Sequence, residues 1–249
     1  MLRSRQIREI VLHSPLTIIK ECEGYYECPV VGGQRVGPLV GYAGTYEPGK
    51  HFVGDVYVNL AKVEQYPVVM AHFAKLLLQR AGVAGIDVFC GAPMGGISFA
   101  NMLAYLNESR FVFAEKKATT LATTSSREET QLILGRHEIQ AGDRVVIVED
   151  VSNNFSTTEK LLQLIKEAGA EVTAILCVLN RSLTVDDEYI AKDDSRIPVI
   201  SLVRQKIMEY RQDDLAVAED VASGNVVWKP KPRDQWARLM KVMEASKSN

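Results

Sequence analysis

Residues 67–81, "PVVMAHFAKLLLQRA", carry apolar positions at helical spacing behind a proline suited to a first helical turn. Gly82 and Gly85 end that pattern, and "IDVFCGA" (86–92) follows as a short buried strand. "GGISFANMLAYLN" (95–107) reads as a helix and "RFVFAEK" (110–116) as the next strand, which makes a β-α-β unit. "TQLILG" (130–135) and "RVVIVED" (144–150) are further strand candidates. "STTEKLLQLIKEAGA" (156–170) predicts a helix with Leu161, Leu162, Leu164 and Ile165 facing inward and Gly169 ending it. "EVTAILCVLNR" (171–181) is again almost continuously apolar. Strands buried on both faces, alternating with helices, predict an α/β fold with a doubly wound, mostly parallel sheet.

The flanks differ. "YYECPVVGGQRVGPLVGYAG" and "HFVGDVYVNL" are short, alternating and broken by Gly and Pro, which suits a small cap of antiparallel strands. "WKPKPRDQWARLMKVMEASKSN" predicts an extended stretch, a closing helix and a frayed end. The chain therefore divides into an N-terminal segment with the cap (1–66), the α/β core (67–210), and a C-terminal tail and helix packing on that core (211–249). Between the strands, "KATTLATTSSREET" (117–130) is polar and reads as a long loop of the kind that serves function.

Composition adds exclusions. An apolar share of 47% with 24% charged residues is that of a globular chain, not a disordered one. A net charge of −2 without a basic run argues against a nucleic-acid surface, so an anionic ligand needs a local positive site. Charges recur through Glu9 and Lys20, no apolar run reaches spanning length, and the four cysteines are scattered. No membrane segment, no zinc or disulfide framework, and a cytoplasmic setting are expected.

Three loops attract attention. "GTYEPGKH" (44–51) nearly spells a phosphate-binding P-loop, but an alternating strand follows where that loop requires a helix, so it reads as a turn. "VIVEDVSNNFSTTEKLL" (146–162) ends a buried strand in Glu149 and Asp150, then runs through a polar turn onto a helix start. Adjacent buried carboxylates are costly unless hydrogen-bonded. The hydroxyls of a ribose, or a nearby metal, would satisfy them, and the following helix start suits a phosphate. "CGAPMGGIS" (90–98) feeds a second helix start from another strand, with glycines that permit close backbone approach. Together they read as a ribose-5-phosphate site. His51, His72 and His137 lack recognisable partners and read as surface or satisfied core residues.

These motifs resemble the type I phosphoribosyltransferases, and among them the orotate phosphoribosyltransferases. "VIVEDV" with its loop and helix resembles the family's phosphoribosyl pyrophosphate motif, and "GAPMGGISFANMLA" its pyrophosphate loop. "FVFAEKK" resembles the catalytic-loop entry, "GKHFVGDVYVN" the cap that covers the base, and "LNRS" the strand end whose arginine meets the base. The resemblance implies that Glu149 and Asp150 hold the ribose hydroxyls, with Asp150 counted as catalytic. Asn153, Asn154, Phe155, Ser156 and Thr157 would wrap the 5-phosphate, and Ala92, Pro93, Met94, Gly95 and Gly96 would face pyrophosphate. Lys116 and Lys117 would neutralise the leaving group, and Tyr57, Asn153 and Arg181 would lie at the base. It also implies Mg²⁺ not held by protein side chains alone, a nucleobase as co-substrate, and a homodimer whose loop 116–130 closes over pyrophosphate. Orotate is the expected base. Another base, or a non-catalytic sensor of phosphoribosyl pyrophosphate or nucleotides on the same fold, is the alternative. The chain departs from the family at Asn153-Asn154-Phe155-Ser156, where Thr-Thr-Gly-Gly is usual, and at Glu115, where many orotate enzymes carry arginine.

Overall fold

The apolar runs form the anticipated sheet. A computed structural model describes residues 9–82, 84–120 and 129–246. In it, β1 (Val88–Gly91), β2 (Arg110–Phe113), β3 (Arg144–Ser152), β4 (Glu171–Asn180), β5 (Glu188–Ile190) and β6 (Arg196–Arg204) pair in the order β5-β6-β4-β3-β1-β2. Every pairing is parallel except that of edge strand β5 with β6. Helices α1 (Pro67–Ala81), α2 (Gly95–Asn107) and α3 (Ser156–Glu167) make the crossovers and cover the faces.

Strand alternation sorts the core. Val145 and Ile147 of β3 join a cluster with Leu161, Leu162 and Ile165 of α3, Ile175 and Cys177 of β4, and Val88 and Cys90 of β1. Val146 and Val148 take the opposite side and are fully buried. Helix α1 ends at Gly82, which adopts φ 56° and donates its amide to Leu78, so the glycine stop read from the sequence is a left-handed cap. From β1 the chain leaves through α2 to β2 on one side; from β3 it leaves through α3 to β4 on the other. The winding direction therefore reverses between β1 and β3, and ligands of such sheets bind at the strand C-termini beside that reversal.

The strand read as "RFVFAEK" divides. β2 stops at Phe113, and Glu115–Thr120 leaves the sheet to pair antiparallel with Glu129–Ile133. Glu129–Ile133 is thus a hairpin arm and not a strand of the core sheet, although buried Leu132 anchors it in the core cluster. The expected loop 116–130 is shortened accordingly: its ends are strand, and 121–128 lie outside the described residues.

A second compact unit comprises Leu16–Val63 and the chain from Ile207 onward; the first runs from Glu64 to Lys206. Its sheet orders Tyr210–Arg211, Lys50–Gly54, Leu39–Glu47 and Val226–Val227. The stretch resembling a P-loop is the hairpin turn of this sheet, with Gly49 at φ 75° and Lys50 opening a strand. The tail was expected on the α/β core; it is a structural part of this second unit instead. Val226–Val227 pairs parallel with Leu39–Val40, and the closing helix Arg233–Ala245 buries Trp236 and Leu239 in a cluster with Tyr26, Val40 and Tyr42. Trp236 Nε1 donates to the Glu23 carbonyl at 3.0 Å. A two-stranded hairpin is marginal alone, and the returning chain adds the strands Tyr210–Arg211 and Val226–Val227 to the hairpin of Leu39–Glu47 and Lys50–Gly54.

Candidate active site

Four loops meet at the C-terminal edge of the α/β sheet. Backbone bonds extend the ladder past the strands: Ala92 donates to Val148 (2.9 Å), Ala114 to Gly91 (3.2 Å), Arg181 to Ser152 (2.9 Å) and Gln205 to Asn180 (3.0 Å). The turn Ala92–Gly96 is pressed against the end of β3. A Cβ on Gly95 would overlap the Asp150 carboxylate, and one on Gly96 would overlap the Val148 carbonyl. Only glycine lets the start of α2 come this close, which is the reason for the glycine pair in "PMGG". The Pro93–Met94 peptide is cis, and the Met94 side chain is exposed. The turn therefore presents backbone and a helix start, suited to an anion.

The two acids read as a side-by-side pair occupy different surroundings. Both lie inside β3, which continues to Ser152, so successive side chains leave on opposite faces. Asp150 faces the start of α2, as the Gly95 contact shows, and its Oδ1 accepts from the Val151 amide at 2.8 Å. Glu149 pairs in register with Cys177 and is only 9% exposed. Burial pushes its carboxyl up to about 8, the neighbouring Asp150 adds to the rise, and Lys116 works against it. An unliganded Glu149 thus holds a proton near neutrality and can donate or accept at a hydroxyl.

Past β3 the chain runs through Asn153 and Asn154 to Phe155, which adopts φ 56° and ψ 16° immediately before α3. The Asn154 side chain accepts from the Ser156 amide at 3.1 Å, a local turn that asparagine favours. The sequence assigns Phe155 to the phosphate as part of the wrapping loop. The structure turns its ring the other way: Phe155 is 3% exposed and belongs to the core cluster, stacked on Tyr189 with centroids 5.0 Å apart and planes at 13°. Only its backbone is left for a ligand. A left-handed residue with a Cβ costs about 1–2 kcal/mol. Burying the phenyl ring contributes about 1.5–3 kcal/mol and the ring pair about 0.5–1.5 kcal/mol, enough to offset it. The phenyl ring is the anchor of the turn. Ser156 is exposed and Thr157 half-buried at the opening of α3.

Lys116 and Lys117 are exposed on the hairpin, opposite Leu132 and Gln131. The charge of Lys116 is felt at Glu149. Glu115, the departure from an arginine, is held by Arg136 at 2.6 Å, so a cation stands beside that position from a different part of the chain. Arg181 is 9% exposed at the end of β4. The turn behind it is built by Asn180, which is fully buried and donates to the carbonyls of Val185 (3.0 Å) and Asp186 (2.9 Å). Arg204 closes the same turn, donating to Ser182 O at 2.7 Å and bridging the Asp186 carboxylate at 2.6 Å. Reasoning from the sequence passed over Arg136, Tyr189 and Arg204. Arg204 ends the apolar run "IPVISLVR" just as Arg181 ends its own, and that signal was available.

Tyr57 belongs to the second unit, its ring stacked on Tyr42 at 6.4 Å and tilted against Trp236 at 6.1 Å. His51 lies beside Trp228 and His137 against Phe111 and Phe113, while burial lowers the His72 imidazole. Among the described residues no helix is long and apolar enough to cross a membrane, and no cluster of three or more His, Cys, Asp or Glu stands ready for a metal.

A reversal point flanked by two helix starts, with carboxylates between them, is an arrangement suited to a phosphorylated ligand in an α/β protein. A family profile described as a phosphoribosyl transferase domain matches residues 60–203. The orotate phosphoribosyltransferase of Caldanaerobacter subterraneus subsp. tengcongensis is 30% identical over 173 residues, covering 69% of this chain and 80% of that protein. Its namesake from Thermococcus kodakarensis is 30% identical over 140 residues, 55% of this chain and 71% of that one. The crystal structure of orotate phosphoribosyltransferase from Aeropyrum pernix superposes with a TM-score of 0.52 at 16% identity, covering 83% of this chain and 97% of that one, a likeness of fold. The chain belongs to the phosphoribosyltransferase family, a family of pentosyltransferases.

Proposed function

We propose that this protein transfers the 5-phosphoribosyl group of phosphoribosyl pyrophosphate to orotate, giving orotidine monophosphate and pyrophosphate, a step of pyrimidine nucleotide formation in the cytoplasm. The observation that carries the transfer is the convergence of Ala92–Gly96, Glu149–Asp150 and Asn153–Thr157 on one sheet edge. Orotate as the base is supported by the relatives that match over most of their own length.

In this reading the bond from the anomeric carbon to pyrophosphate breaks as the bond to the base nitrogen forms, through an oxocarbenium-like state. Glu149 and Asp150 hold the ribose hydroxyls and so orient that carbon. The amides and hydroxyls of Asn153, Asn154, Phe155, Ser156 and Thr157 bind the 5-phosphate. The turn Ala92-Pro93-Met94-Gly95-Gly96 receives pyrophosphate, and Lys116 and Lys117 neutralise the charge that builds on it. Arg181 and Asn153 serve the base. The residues suit Mg²⁺, because the carboxylate oxygens of Glu149 and Asp150 are hard donors. When bound, Mg²⁺ would supply charge compensation for the leaving group. We place the catalytic hairpin in a homodimer, consistent with its exposed lysines.

The experiment is pyrophosphate release from phosphoribosyl pyrophosphate and Mg²⁺ with orotate, adenine, hypoxanthine, guanine and uracil in parallel. Sedimentation of the same sample reads the dimer. Turnover with orotate is expected, and a folded Glu149→Gln, Asp150→Asn double variant should lose phosphoribosyl pyrophosphate affinity. Arg181→Ala should raise the orotate KM by about tenfold, the worth of one charge-assisted hydrogen-bond pair. Turnover with another base alone would move the specificity. Binding without turnover would make the chain a sensor.

A further inference from the structure

The family's usual loop obtains its left-handed turn from glycine, which adopts it without help. Here the same turn is made by Phe155, a residue that avoids it unless its side chain is held. The holder is on the page. Tyr189 of β5 lays its ring flat on Phe155, centroids 5.0 Å apart. Its hydroxyl donates to Glu159 Oε2 at 2.6 Å, and Glu159 stands in the first turns of α3, its own amide donating to Phe155 O at 2.9 Å. The second Glu159 oxygen accepts from the Lys192 amide at 3.4 Å, just beyond β5. Further along α3, Lys166 reaches the Asp193 carboxylate and, at 3.0 Å, Ser195 Oγ in the same turn. The β5–β6 hairpin thus grips α3 along its length and Phe155 at its start.

We propose that Tyr189 is a positioning residue for the sugar phosphate: stacked on Phe155, it fixes the left-handed turn that aims the amides opening α3 at the 5-phosphate. This rests on Asn153–Thr157 being the phosphate loop. If Phe155 relaxed to an ordinary φ, its ring would leave Tyr189 and the N–H groups of Phe155 and Thr157 would swing away from a common point, while the Ser156 amide stays with Asn154. The edge strand, which carries no residue at the ligand, then sets affinity from behind the loop. The assignment gives a role to a short edge strand that, with the turn after it, is tied to α3 by three hydrogen bonds.

The test is calorimetric binding of ribose 5-phosphate, phosphoribosyl pyrophosphate with Mg²⁺, and pyrophosphate with Mg²⁺ as a control for the other loop. Tyr189→Phe keeps the ring and should bind all three within about twofold of wild type. Tyr189→Leu keeps apolar volume but no flat ring, and should weaken both ribose phosphates roughly fivefold to tenfold, the range of one lost ring pair. Pyrophosphate should be unaffected. Adding Phe155→Gly to Tyr189→Leu should restore ribose 5-phosphate binding, because glycine takes the turn unaided; a packing role alone would be worsened by that second deletion. Unchanged binding in Tyr189→Leu, equal losses for pyrophosphate, or no rescue would overturn the assignment while leaving the phosphate loop in place. Wild-type protein that binds neither ribose phosphate would overturn the loop itself, and the assignment with it.

Discussion

Glu149 and Asp150 are neighbours in the chain but answer to different surroundings. The strand continues through them, so one is sealed on the Cys177 side and the other meets the glycine turn. Glu149 carries a testable consequence. Its folded value, about 8, lies above the ordinary 4.5. Unfolded chains release this proton first, so the contribution to stability is full below about 4.5, declines as pH climbs toward about 8, and is flat beyond. The slope for one proton is at most about 1.4 kcal/mol per pH unit. Thermal midpoints of wild type and Glu149→Gln across that window should therefore diverge, the wild type losing stability relative to the glutamine variant as pH rises. Parallel curves would mean that Glu149 is solvated in the folded protein. That carboxylates follow this buried apolar run was legible in the sequence. Its separation from its neighbour was not, because the end of a strand is not marked by residue type.

At the scale of elements, the β-α units were readable because each pairs a short apolar run with a helical period and a glycine or proline stop. Glycines in such turns have two distinct causes, and substitution separates them. Gly95 is excluded from having a Cβ by Asp150, whereas Gly82 has open space around it but adopts φ 56°. Gly95→Ala should displace the turn or the acid and weaken phosphoribosyl pyrophosphate by about tenfold or more, roughly 1.4 kcal/mol. Gly82→Ala should lower the thermal midpoint by the cost of a left-handed alanine, about 1–2 kcal/mol, with binding unchanged. Calorimetry and melting on the two variants read both; a binding defect in Gly82→Ala would break the distinction. The hairpin after β2 escaped sequence reading. The arm "EKKATT" is polar enough to look like loop, and "TQLILG" reads as a strand of the core sheet; that the two pair with each other is shown only by the structure, with Leu132 seated in the core.

At the scale of the whole molecule, the chain returns after Lys206 to finish the unit it began with. Trp236, 2% exposed, is the centre of that closure. Trp236→Ala should cost about 3–5 kcal/mol, since it deletes a large buried ring. Trp236→Phe should cost nearer 1 kcal/mol, the hydrogen bond to Glu23 O plus slight repacking. Thermal or denaturant melting measures both. A Trp236→Ala protein as stable as wild type would show that the closing helix is not integral to the unit.

Local pattern by itself determined the fold class, the succession of strands and helices, and the two loops that suit phosphate. Each of these depends on periodicity and on the conformational habits of Gly, Pro and Asn, which are written within a few residues of one another. The direction in which Phe155 turns, the stacking of Tyr189 beneath it, the placing of Arg136 beside Glu115 and the return of the tail to the N-terminal strands were decided only by tertiary structure. They join residues from 21 positions apart, as Glu115 and Arg136 are, to nearly the length of the chain, as Glu23 and Trp236 are. Nothing in the neighbourhood of either partner specifies the other; burial of a shared apolar surface does, and that surface exists only once the sheet has formed.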